Sequence, residues 1–103
     1  MDVIFHSHNA VISPRLRSRA ESIIHKLEVR SARAVRAVVL FEQDGPTRRV
    51  EIVMHSSHRR PLISNGYARN YGPALSEAVH NLQAQLARSK RTRKARARTA
   101  ARS

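Results

Sequence analysis

Ala74-Leu75-Ser76-Glu77-Ala78-Val79-His80-Asn81-Leu82-Gln83-Ala84-Gln85-Leu86-Ala87-Arg88-Ser89-Lys90 is the stretch around which the rest of the chain is organised. Leu75, Val79, Leu82 and Leu86 recur at i, i+4, i+7 and i+11, so one stripe of a helix is apolar. Pro73 suits the first turn, where a missing N–H leaves no hydrogen bond unmade. Glu77 lies near the start and every Lys or Arg follows it, the order the helix dipole favours. The helix then runs into Arg88-Ser89-Lys90-Arg91-Thr92-Arg93-Lys94-Ala95-Arg96-Ala97-Arg98. One end is made to dock on a core and the other to meet a polyanion.

Working back from this helix, the partners for its apolar stripe come into view. Val3-Ile4-Phe5-His6 reads as a short strand with Val3 and Phe5 on one face. Ser13-Pro14 opens a helix, Ser as N-cap and Pro at the first helical position. From Arg15 to Val29, Leu16, Ala20, Ile23, Ile24 and Leu27 fall on one side, and Arg15, Arg19, Ser22, Lys26 and Arg30 on the other. Ala34 to Glu42 is β-branched, apolar and too short for a core helix, so it reads as a central strand. Gln43-Asp44-Gly45-Pro46 is a turn. Arg48 to His55 alternates, with Val50, Ile52 and Met54 inward and Arg49, Glu51 and His55 outward, which predicts a sheet with one polar face. Ser56 to Arg60 is a polar turn, and Pro61-Leu62-Ile63-Ser64 begins a fourth strand whose proline favours a sheet edge. Gly66 and Gly72 read as turn residues, and Tyr67 and Tyr71 as packing against the core edge.

The order β-α-β-β-β-α with one polar sheet face requires both helices on the other, giving an α+β two-layer sandwich with a four-stranded sheet. The first strand, helix and second strand form a right-handed crossover with parallel pairing. Residues 1–90 form the folded domain. The Arg/Ala-rich stretch 91–103 is expected to be a disordered basic tail.

Charge narrows the partner class. The 103 residues carry a net +13, with twenty Lys and Arg against seven Asp and Glu. Eight of the basic residues and no acidic one lie in 88–103. Arg far outnumbers Lys, and its planar fork suits phosphate. The balance points to nucleic acid ahead of an anionic membrane or an acidic protein. With four scattered aromatic residues, base stacking on single strands is not favoured, and structured RNA read through its backbone and shape suits the composition better. The tail reads either as an RNA contact or as non-specific charge.

Other chemistries find little support. The absence of cysteine excludes disulfides, Cys zinc sites and thiol catalysis. No apolar run approaches the ~20 residues that span a bilayer, and Met1 to His6 does not read as a signal peptide, so a soluble, cytoplasmic protein is expected. Six histidines show no HExxH or other regular ligand spacing, so no metal or other cofactor is expected. A ribonuclease would need an acid–base pair such as His55 with Glu51 or His6. These are ordinary outward strand residues, and no catalytic residue is assigned.

Along its length the chain resembles the short-form ribosome hibernation promoting factors, also called ribosomal subunit interface proteins or ribosome-associated translation inhibitors. Asn9, Ile12, Leu16, Arg17 and the Lys26-Leu27-Glu28 that closes the first helix match the family in register. So do Ala74-Leu75, Leu82, Gln85-Leu86, Arg88 and Lys90 in the last helix, and the likeness covers roughly residues 1–94. Departures are plain. The family commonly begins its last helix with Asp-x-Tyr-Ala-Ala-Ile-Asp, whereas this chain has Asn70-Tyr71-Gly72-Pro73-Ala74-Leu75-Ser76, without either carboxylate. Asn81 stands where Lys is often found, and the dimerising second domain of long-form relatives is not represented.

The resemblance implies the β-α-β-β-β-α fold and no enzymatic activity. It implies binding to the small ribosomal subunit and its rRNA near the decoding centre, within the whole ribosome, over the tRNA and mRNA sites, so that idle ribosomes are stabilised and translation is inhibited. The RNA-facing positions it carries over are Arg17, Lys26, Arg88 and Lys90. Helix-face reading adds Arg15, Arg19, Arg91, Arg93 and Lys94. A monomer off the ribosome is expected, with no small-molecule substrate and no membrane partner. The competing reading is a generic double-stranded-RNA-binding or structural ribosomal protein. A double-stranded-RNA domain, however, lacks a parallel first strand and opens its last helix with lysines, unlike Ala74-Leu75-Ser76-Glu77.

Overall fold

The computed structural model describes the backbone of residues 1–30 and 33–102 and the side chains of 1–30 and 33–88. The elements are β1 (Asp2–His8), α1 (Pro14–Glu28), β2 (Ala34–Asp44), β3 (Thr47–Ser56), β4 (Leu62–Ala68) and α2 (Tyr71–Arg102). They form one sheet in the order β1-β2-β3-β4. The β1–β2 pair is parallel, as a strand–helix–strand crossover requires, and the other two pairs are antiparallel. The expected α+β sandwich is therefore the fold, with β4 at an edge.

Both helices lie on one sheet face. Ala20, Ile24 and Leu27 of α1 and Leu75, Ala78, Val79, Leu82 and Leu86 of α2 enter one core with Val39, Phe41, Val50, Ile52 and Met54. Ser13 caps α1 as its sequence predicts: the hydroxyl accepts the Leu16 N–H at 3.1 Å, with Pro14 at the first helical position. Gly45 has φ +58 at the first position of the two-residue β2–β3 loop. Pro46 fixes the next φ near −65°, leaving a II′ turn, which favours glycine in that slot. At the start of α2 the Asn70 carbonyl accepts the Ala74 N–H at 3.2 Å, so the helix begins cleanly without the family's first carboxylate.

Two glycines are not where the sequence reading puts them. Gly72 lies within the first turn of α2, and Gly66 lies inside β4, which continues past Ser64 to Ala68. A Cβ on Gly66 would meet the Ala74 carbonyl oxygen at 1.9 Å and the Ala78 nitrogen at 2.6 Å. Gly66 on β4, facing Ala74 and Ala78, lets the helix backbone settle almost onto the strand.

The outer edge of β4 is closed by α2. The Glu77 carboxylate accepts the Tyr67 N–H at 3.4 Å, the Asn81 amide donates to the Asn65 carbonyl at 2.9 Å, and the Gln85 amide donates to the Ile63 carbonyl at 2.7 Å. A helical i, i+4, i+8 row thus meets every second strand residue. It satisfies groups that an edge strand would otherwise offer to another chain. Asn81 has this role where the family often has Lys.

The backbone of α2 is helical to Arg102, through the segment whose composition suggests a tail. Thirty-two residues make a helix about 48 Å long, which accounts for most of the molecule's 54 Å extent. Among the described residues no helix is long and apolar enough to cross a membrane.

Candidate nucleic-acid interface

The candidate RNA-facing residues of α1 fall into two stripes, because both sets repeat at i, i+4 and i+11 about half a turn apart. Arg15, Arg19 and Lys26 form the first, and all three are exposed. Arg19 sets the direction of this stripe: its Nη1 lies 3.4 Å from where a Gly72 Cβ would stand, so the stripe looks toward α2. Arg17, Glu21 and Glu28 form the second. Arg17 lies over the Phe5 ring, 5.2 Å from its centroid, so this stripe looks toward β1.

The two stripes differ in charge. The first holds three cations and no carboxylate. The second is mixed, and its acids engage neighbours: Glu28 Oε1 lies 2.5 Å from the Met1 amino group, and His25 lies 3.8 Å from Glu21 and 3.4 Å from Glu28. The hydrogen bond from the Met1 amino group, followed by that from His25, holds the Glu28 carboxyl below its usual range. A polyanion approaching the Arg17 flank therefore meets carboxylates as well as a guanidinium. The flank toward α2 presents cations without carboxylates.

Arg48 extends this surface at one end. α1 and α2 both begin at the end of the sheet that carries the β2–β3 turn. Their N-termini, each with a partial positive charge, lie at that end. Arg48 packs over the Tyr71 ring, 5.7 Å from its centroid, and its Nη1 donates to the Gly45 carbonyl at 3.4 Å. Arg69 is exposed two residues before α2. The sequence reading passed over both. The signal for Arg48 was its parity with the inward residues Val50, Ile52 and Met54, which aims it at the helix layer.

The other predicted residues stand apart. Arg88 is exposed on α2, seven residues beyond Asn81 and so on the flank that faces β4, away from α1. Lys90, Arg91, Arg93 and Lys94 lie on the helical extension, and their side chains fall outside the described residues. The nine positions thus divide into an α1 stripe of three, an isolated Arg17, and a set carried by the far half of α2.

Tyr71 packs as expected, edge-on to Phe41 with centroids 5.6 Å apart, and burial raises its hydroxyl pKa. Tyr67 does not: it is exposed on the open sheet face. That face carries a charge network of its own. Arg49 Nη1 donates to Glu42 at 2.9 Å, Nη2 donates to Glu51, and Nε donates to the Asn65 side chain at 3.1 Å. Glu51 is therefore committed to Arg49. His55 lies four residues along the same extended strand, about 13 Å away, so the two do not form an acid–base pair. Among the described residues no three His, Asp or Glu side chains converge on a position for a metal ion.

Comparison with known proteins completes the picture. The chain shares its fold with a ribosomal subunit interface protein from Coxiella burnetii at a TM-score of 0.81 and 17% identity, over 87% of this chain and 98% of that one. It also shares it with the N-terminal domain of Protein Y from Thermus thermophilus at a TM-score of 0.73 and 20% identity, over 85% and 98%. No curated protein matches the sequence. The sequence pattern of the sigma 54 modulation protein / S30EA ribosomal protein family matches residues 3–94. The chain belongs to that family, whose members are ribosome-associated factors and not enzymes.

Proposed function

We propose that this protein binds the small ribosomal subunit through its helix layer, near the decoding centre, where it overlaps the tRNA and mRNA sites, holds the ribosome idle and inhibits translation. The observation that carries the reading is the stripe Arg15, Arg19 and Lys26. It is free of carboxylates, faces α2, and extends toward Arg48 and the two helix N-termini. Cations placed this way meet the phosphates of folded RNA, and Arg contributes a planar two-pronged contact. The far half of α2 extends the positive charge along the same RNA. The protein acts in the cytoplasm as a monomer, with no cofactor.

Competition on purified small subunits tests the site. Deacylated tRNA and a short mRNA added together are expected to displace the bound protein at least tenfold more effectively than an unrelated structured RNA of equal length. Equal displacement by both would indicate a general RNA-binding domain and remove the decoding-site reading.

A further inference from the structure

The open sheet face differs in chemistry from the rest of the molecule. Side chains of alternate parity from Val3, Val39 and Ile52 point to it, and the strand register aligns them in rows. One row, Ile4–Val38–Val53–Ile63, is aliphatic on all four strands and about 14 Å long. Leu40 adjoins it on β2. Its two ends are open, with Ile4 36% and Ile63 53% exposed, and Tyr67 on the same face is 53% exposed.

The acids gather beside this row. Asp2, Glu42, Asp44 and Glu51 all have the outward parity, so among the described strand residues four acids share this face with two Lys or Arg, Arg36 and Arg49. The described strand residues thus give this face a net −2 on a chain of net +13. The excess of carboxylates repels phosphate. Aliphatic side chains beside carboxylates complement a polypeptide that brings aliphatic side chains and Lys or Arg together. The α2 side chains close the β4 edge to strand pairing by such a partner.

We propose that the open sheet face is a second interaction surface, which takes a basic protein. It rests on the ribosome reading: a protein that shares an RNA surface with this chain carries positive charge for the same reason this chain does. The helix layer meets RNA, and the sheet face meets a basic ribosomal protein whose aliphatic side chains lie along Ile4, Val38, Val53 and Ile63.

Site-specific photocrosslinking on purified ribosomes tests this. The photoreactive residue p-benzoylphenylalanine is placed at Ile63, at Tyr67 (where it is close in shape to the residue replaced) and at Ser22 between Arg19 and Lys26. Co-sedimentation is read before irradiation. The Ile63 and Tyr67 variants are expected to give one defined adduct with a basic ribosomal protein, at least fivefold over rRNA, and the Ser22 variant an adduct with rRNA. Ribosome-bound protein whose Ile63 and Tyr67 variants crosslink to rRNA, to a second copy of this chain or to nothing overturns the inference alone. Failure of the unsubstituted chain to co-sediment overturns the ribosome reading and this inference with it.

Discussion

Gly66→Ala is expected to destabilise the fold by about 3 kcal/mol, a fall of roughly 10–25 °C in Tm for a domain of this size. The added Cβ would stand 1.9 Å from the Ala74 carbonyl oxygen and 2.6 Å from the Ala78 nitrogen. Both are backbone atoms of a helix, so no side-chain rotation relieves the clash, and β4 and α2 must part. Parting them also strains the hydrogen bonds from α2 to Ile63, Asn65 and Tyr67 of β4. Gly45→Ala is the matched control. Nothing lies within 4 Å of its Cβ, and only the φ of +58 is unfavourable, so a loss of about 1 kcal/mol is expected. Thermal and denaturant unfolding of the two variants checks the ranking. Similar losses would contradict the close approach of α2 to β4.

The second large effect concerns binding. Reversing Arg15, Arg19 and Lys26 together to Glu is expected to weaken ribosome binding by on the order of a hundredfold, from about 1 kcal/mol lost at each phosphate contact. It should also reduce the slope of log affinity against log salt by about two to three. The three side chains are exposed, so Tm should hardly move. Reversing Arg17 alone should do much less than a third of this, because Glu21 and Glu28 already share its flank. A titration of ribosome binding at several salt concentrations separates the cases. If Arg17→Glu matches the triple change, the phosphate surface lies on the β1 side of α1.

Much of the fold is legible in the chain because burial imposes a period. The apolar positions of both helices, the alternation of β3 and the β-branched run of β2 each identify an element and its inward face. The crossover rule then makes β1 and β2 parallel. What escapes the sequence depends on how the layers register against each other. Gly66 looks like a turn residue until α2 is seen pressed against it. Glu77, Asn81 and Gln85 look like ordinary polar helix positions until the edge of β4 is seen to present a backbone group to each.

The same distinction runs through the candidate site. That α1 is basic outward is plain from its spacing, but which of its flanks serves RNA depends on which neighbour each flank meets. Phe5 beneath Arg17 and Gly72 beside Arg19 show which neighbour each flank meets. The acids of β1, β2 and β3 are far apart in the sequence, and only strand pairing gathers them on one face. Their clustering makes the sheet side the wrong side for a polyanion, and so strengthens the assignment of RNA to the helices.

Sedimentation of purified ribosomes with this protein through a gradient at physiological salt tests the central claim most directly. Co-migration with small subunits and whole ribosomes is expected at near one-to-one occupancy, with translation by those ribosomes lost. Binding that spreads over any RNA offered and disappears with modest added salt would contradict it, leaving a basic RNA-binding domain with no ribosomal site.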